Sequence, residues 1–192
     1  MKWKTLKSEY LYRSPFGNLR MDQCELPNGT ILNEYYVNEY SDWVNAIVIT
    51  KENKVVLVEQ YRHAGGEVYL EIPAGKMEEN ETYEEGILRE LREETGFTSS
   101  ISPIKLGEFM VNPAIQSNKV ITYLIVDAYK ESDQDLDDNE DIKVHLFDFI
   151  EMGKALKEHI INTQLFTAYA YYLAKDILAE NSLDSFEKHR IL

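Results

Sequence analysis

Three glutamates, Glu90, Glu93 and Glu94, stand at i, i+3 and i+4 in the stretch Gly75–Phe97. On a helix that spacing puts all three on one face, roughly 5–6 Å apart at Cβ. Carboxylates that close repel one another unless a cation lies between them. An all-oxygen anionic set of this kind suits a hard divalent metal such as Mg²⁺. A solvated acidic helix face is the simpler account of such a run. Two features argue against it. Glu93 and Glu94 fall in the last helical turn, where acids oppose the helix dipole. The stretch also opens at Pro73-Ala74-Gly75, a turn able to turn a backbone carbonyl toward a metal. Thr82 as N-cap, Glu85 three residues on and Gly96 as C-cap predict the helix limits.

The spacing Gly75-x5-Glu81-x7-Arg89-Glu90-Leu91-x-Glu93-Glu94-x-Gly96-Phe97 resembles the Nudix box, with all seven of its fixed residues in place. The resemblance implies hydrolysis of a nucleoside diphosphate linked to another moiety, with Mg²⁺ or Mn²⁺. It implies Glu90 and Glu94 as principal metal ligands, Glu93 as a further ligand or general base, and the Ala74 carbonyl as another metal contact. Glu81 and Arg89 would pair to hold the helix on its loop.

The elements around that helix follow from pattern. Residues 3–13, 18–26 and 30–40 read as three strands of a small meander, too small to stand alone and expected to pack on its own chain or on a second subunit. Trp43–Thr50 and Lys54–Tyr61 are apolar strands around a turn at 51–53, and Tyr69–Ile72 leads into the box. Ile101–Val111 and Lys119–Tyr129 form another pair, and Ile142–Phe147 is a last strand. Residues 131–141 hold seven acids in eleven and read as an exposed loop. Helices are expected over 149–158 and 163–180. In the longer one Leu165, Tyr169, Tyr172 and Leu173, with Phe166, Ala170 and Ile177, form a broad apolar face. This order predicts an α+β chain in which residues 1–42 are the meander and 43–192 the catalytic domain. It is similar to the Nudix fold, an α/β/α sandwich with a mixed sheet, preceded here by a three-stranded antiparallel sheet.

Three further features resemble the ADP-ribose pyrophosphatase branch. Pro113 lies 16 residues beyond Phe97. The segment Val58-Glu-Gln-Tyr-Arg62-His resembles a strand end where an arginine meets substrate phosphate. The meander resembles the sheet through which those enzymes exchange into homodimers. Arg62 could clamp a diphosphate with its planar fork, or sit in a surface ion pair. Trp43 could stack on a base, or fill a core or dimer contact. In that branch the loop after the proline often carries a catalytic glutamate. Here it is Pro113-Ala-Ile-Gln116-Ser-Asn118, without a carboxylate. Gln116 and Asn118 can orient water or bind a sugar hydroxyl, but neither is a base. Glu93 is the first candidate for the base and Glu140 the second.

The net charge of −14 argues against nucleic-acid or anionic-membrane partners. A lone Cys24 excludes an intramolecular disulfide, and neither a signal peptide nor a membrane-length apolar run is present, so a soluble cytoplasmic protein is expected. The preferred substrate is a nucleoside diphosphate sugar, ADP-ribose first. GDP-mannose, a dinucleoside polyphosphate, or a nucleotide-sensing role without turnover are the alternatives.

Overall fold

The structure, a computed structural model, describes residues 1–180. Two compact units divide the chain. The first combines Met1–Trp43 with Glu108–Val120. Its antiparallel sheet has the order β1 (Lys4–Ser14), β2 (Gly17–Glu25), β3 (Ile31–Glu39). Ten of the eleven residues of β1 are exposed, so little of this sheet's stability comes from apolar burial on that strand. A polar lock sits beneath β2 instead. Arg20 grips the buried Asp22 through Nε at 2.9 Å and Nη2 at 3.0 Å, and its Nη1 donates to Glu39.

The loop at 112–118 belongs to the same unit and is laced along β3. The Tyr35 hydroxyl donates to the Ala114 carbonyl at 2.6 Å, Asn38 N–H donates to Ile115 O at 2.8 Å, and Ser117 N–H donates to Asn38 O at 3.1 Å. This attachment is invisible in the sequence, because 79 residues separate Tyr35 from Ala114.

The second unit spans Val44–Gly107 and the chain from Ile121. Its framework is a mixed eight-stranded sheet. The main path runs β11 (Lys143–Asp148), β5 (Lys54–Arg62), β4 (Trp43–Thr50), β10 (Lys119–Lys130), β8 (Phe97–Thr98). Off this path, β6 (Glu67–Glu71) pairs with β5, β7 (Ala74–Lys76) with β4, and β9 (Ile104–Met110) with β10. β7 and β8 were not foreseen, since three and two residues carry no periodic pattern.

Strand alternation decides which helix covers which face. Val44, Ala46 and Val48 of β4 meet Ile87 and Leu91 of helix α1 (Tyr83–Thr95) in one core layer. Ile47 and Ile49 point the other way, toward Met152 and Leu156 of α2 (Phe149–Lys157) and Ala170, Tyr171 and Ala174 of α3 (Leu165–Glu180). The result is the expected α/β/α sandwich. The expected face of α3 needs correction. Leu165 is 77% exposed and Tyr172 46%, whereas Thr167, Ala170, Tyr171 and Ala174 are buried. That stripe still follows i, i+3, i+4, i+7, but it is narrow and built largely from small residues that let the helix lie close to the sheet. Tyr171 is held in it by donating its hydroxyl to Phe149 O at 3.1 Å.

Candidate active site

The local sequence of α1 fixes where its carboxylates point. Thr82 Oγ1 accepts from Glu85 N at 3.2 Å and Glu85 Oε2 accepts from Thr82 N at 2.8 Å, a complete capping box. At the other end Gly96 is left-handed at φ 73° and returns its N–H to Arg92 O. Ile87 and Leu91 bury one side against the sheet, which commits Glu90, Glu93 and Glu94 to the neighbouring sector.

Gly75 is needed because Glu90 lies on top of it. A β-carbon there would stand 1.8 Å from Glu90 Cδ, deep inside contact distance. Gly75→Ala is therefore expected to expel the Glu90 carboxylate and to lose turnover about as completely as Glu90→Gln. Since both act through one side chain, the double variant should lose little more, and initial rates of the three proteins check this.

One guanidinium organises the acids. Arg89 donates from Nε and Nη2 to both oxygens of Glu81 at 3.1 and 2.9 Å, and from Nη2 to Lys76 O at 3.0 Å. Its Nη1 reaches Glu90 Oε1 and Glu93 Oε2, both at 2.9 Å. The Glu81 carboxyl is held below its ordinary range, chiefly by the Arg89 hydrogen bonds. Arg89 is in turn pushed up, first by Glu81.

Glu94 is treated differently. It is 4% exposed, and Oε2 accepts from Ala74 N–H at 3.0 Å. Burial lifts its carboxyl well above the ordinary range. Glu90 and Glu140 add repulsion, while the Ala74 bond and Arg62 oppose the rise. Glu90 is also raised, first by burial, with Arg89 opposing and with Glu93 and Glu140 contributing. Glu140 is thus electrostatically part of this cluster although it lies fifty residues down the chain from Glu90. It stands exposed at the end of the acidic loop, with Oε2 accepting from Asp137 N–H at 3.1 Å.

Arg62 ends β5 with its guanidinium docked on Glu71. Nε lies 3.2 Å from both carboxylate oxygens and Nη2 lies 2.6 Å from Oε2. Glu71 is buried, while the Arg62 side chain that covers it is 39% exposed. Sequence reasoning missed Glu71. A lone acid inside the apolar run Tyr69-Leu-Glu-Ile72 was the available signal, since a buried carboxylate needs a partner.

The remaining sequence candidates lie in the first unit. Trp43 is half-buried, Pro113 exposed and Gln116 half-buried. Asn118 is 4% exposed, and its Oδ1 has no donor among the described residues.

Among the described residues, no three acidic, His or Cys side chains stand already gathered around one point. Glu90 and Glu93 are turned to Arg89, and Glu94 to Ala74 N–H. The donor set nonetheless fits a hard divalent cation. It is all oxygen and anionic, with Glu94 buried and Glu90 half-buried, and both carboxyls are pushed up first by burial and then by neighbouring acids.

Residues 41–169 match the NUDIX domain. The chain belongs to the Nudix hydrolase family. Residues 3–38 of this Nudix hydrolase match the nucleoside diphosphate sugar hydrolase N-terminal domain. The ADP-ribose pyrophosphatase of Bacillus subtilis (strain 168) is 32% identical over 142 residues, covering 73% of this chain and 76% of that one. The methanol dehydrogenase activator of Bacillus methanolicus is 44% identical over 94 residues, which span 49% of this chain and only 50% of that relative. A solved structure titled as an ADP compounds hydrolase shares the fold at a TM-score of 0.82, with 22% identity over 95% of this chain and 97% of that one. No helix among the described residues is long and apolar enough to cross a membrane.

Proposed function

We propose that this Nudix hydrolase is a Mg²⁺-dependent pyrophosphohydrolase of nucleoside diphosphate sugars that cleaves ADP-ribose to AMP and ribose 5-phosphate. The observation that carries the reading is the buried Glu94 beside the half-buried Glu90, with Arg62 offsetting part of the charge on Glu94, in a chain related to ADP-ribose pyrophosphatases. Glu90, Glu94, Glu93 and the Ala74 carbonyl would hold the metal. Bound there, Mg²⁺, or Mn²⁺ in its place, supplies positive charge against the diphosphate and lowers the pKa of water.

The chain's own groups do the rest. Arg62, fixed from behind by Glu71, offers two parallel N–H donors to diphosphate oxygens. Water attacks one phosphorus, the bridging P–O bond breaks, and the electron pair leaves with the departing phosphate. The proton passes to Glu140. What supports Glu140 over Glu93 as this base is that Glu93 Oε2 is already engaged by Arg89, while among the described residues Glu140 makes no ion pair and its charge is felt by Glu90 and Glu94. Pro113 shapes the loop in which Gln116 and Asn118 would meet the sugar, and Asn118 Oδ1 is an acceptor in want of a hydroxyl. Trp43 would stack on the base.

The test is product analysis with Mg²⁺ and a panel of ADP-ribose, GDP-mannose and a diadenosine polyphosphate. AMP and ribose 5-phosphate formed far faster than any other products uphold the reading. Preference for another conjugate replaces the substrate, and silence across the panel, with Mn²⁺ tried as well, favours a nucleotide-sensing module. A second reading comes from the B. methanolicus relative's name: the chain binds a dehydrogenase and changes its rate, which assays with and without the chain decide. The exposed Trp3, Leu6, Leu11 and Tyr12 support a homodimer through the N-terminal sheet, and a stable monomer by light scattering would remove it. The lone cysteine supports a cytoplasmic location.

A further inference from the structure

The acidic run 131–141 is docked on the wrong end of a helix. The C-terminal carbonyls of α1 carry the negative pole of its dipole, and seven acids in eleven residues should be repelled from it. Neutral donors hold the segment there. Glu131 and Ser132 N–H groups donate to Gly96 O at 2.8 and 3.1 Å, and Asp135 N–H donates to Glu93 O at 2.9 Å. One side chain joins them. Gln134 Nε2 donates to Glu94 O at 2.6 Å and to Ile142 O at 3.1 Å.

We propose that Gln134 is a positioning residue that fastens the loop bearing Glu140 to the catalytic helix. Its amide ties the main chain of Glu94 to the main chain two residues beyond Glu140, so both ends of the segment 134–142 are anchored at one point. The chemistry explains why a glutamine interrupts an acidic run. A carboxylate at 134 could not donate to either carbonyl, and it would add charge at the negative pole.

The proposal rests on Glu140 acting in the reaction, and the experiment separates the two claims. Gln134→Ala and the isosteric Gln134→Glu are compared with Glu140→Gln and with the double variant Gln134→Ala/Glu140→Gln. Each single Gln134 change should lower kcat about tenfold or more, the usual size for a residue that orients a catalytic group, with KM little altered. The double variant should be no slower than Glu140→Gln alone. Amide hydrogen exchange should quicken over 135–141 in Gln134→Ala while the strands of the sheet keep their protection. If Glu140→Gln retains the wild-type rate, the Glu140 assignment falls and this proposal with it. If Glu140→Gln is slow and Gln134→Ala multiplies fully upon it, Glu140 stands and Gln134 alone is overturned. Gln134 variants with a lower Tm but wild-type kcat would likewise reduce the residue to a structural one.

Discussion

Exchanging Glu94 for glutamine is expected to lower turnover by about two to three orders of magnitude while the fold survives. Glutamine keeps an oxygen to accept from Ala74 N–H, so the one hydrogen bond that seats this side chain need not be lost. What disappears is a charge. In the folded chain burial, then Glu90 and Glu140, hold the Glu94 carboxyl above its ordinary range. An acid whose pKa is higher folded than unfolded favours folding while protonated. Its contribution falls as pH climbs from the unfolded carboxylate value through the raised folded one. Without metal the glutamine variant should therefore be more thermally stable than the wild type at neutral pH. That advantage should shrink as pH drops toward the ordinary carboxylate range, where both carry a neutral side chain. Millimolar Mg²⁺ should then raise the wild-type Tm and leave that of the variant almost unmoved, because a ligand stabilises only the state that binds it. Melting curves at two pH values with and without Mg²⁺, beside initial rates, test every part. Near wild-type turnover would remove Glu94 from the site.

What could be read from the sequence was what depends on neighbours in the chain. The capping box at Thr82 and Glu85, the left-handed Gly96 and the apolar positions of β4 and β5 all lie within a few residues of the elements they define. The carboxylate face of α1 followed directly. The pairing of Arg62 with Glu71 was hidden because it depends on the register of the β5–β6 hairpin, where Arg62 stands opposite Glu67 and its side chain reaches past that neighbour to Glu71. Gln134 was hidden for a related reason. Composition marked 131–141 as solvated, and exposure bears that out, but composition is silent about which of its groups close the end of a distant helix. The face of α3 misled because Leu165 and Tyr172 are apolar enough to suggest a core, whereas close packing selected the smaller Ala170 and Ala174. The loop 112–118 was read for its missing carboxylate, and its attachment to β3 by backbone bonds could not be read at all, since backbone groups are the same in every residue.

Removing Arg89 should cost stability as well as turnover. Its side chain is 19% exposed and faces Glu81, Glu90 and Glu93, which are themselves 12%, 14% and 32% exposed. Arg89→Ala leaves three poorly solvated carboxylates without the guanidinium that they share. Stranding such partners costs about 3 kcal/mol, or about 6–12 °C in Tm for a chain of this size. Arg89→Lys should recover only part of the loss, because one ammonium cannot span Glu81, Lys76 O, Glu90 and Glu93 as the fork does. Mg²⁺ discriminates between two roles for this residue. If Arg89 only neutralises the acids, a divalent cation should replace it and restore both Tm and turnover in Arg89→Ala. If it also fixes the carboxylates in place, Mg²⁺ should raise the variant's Tm by more than it raises the wild type's, yet leave turnover low. The second outcome is expected. Arg89 itself ties Glu81 and the loop backbone at Lys76 O to the helix, and no cation seated among Glu90, Glu93 and Glu94 can supply that tether.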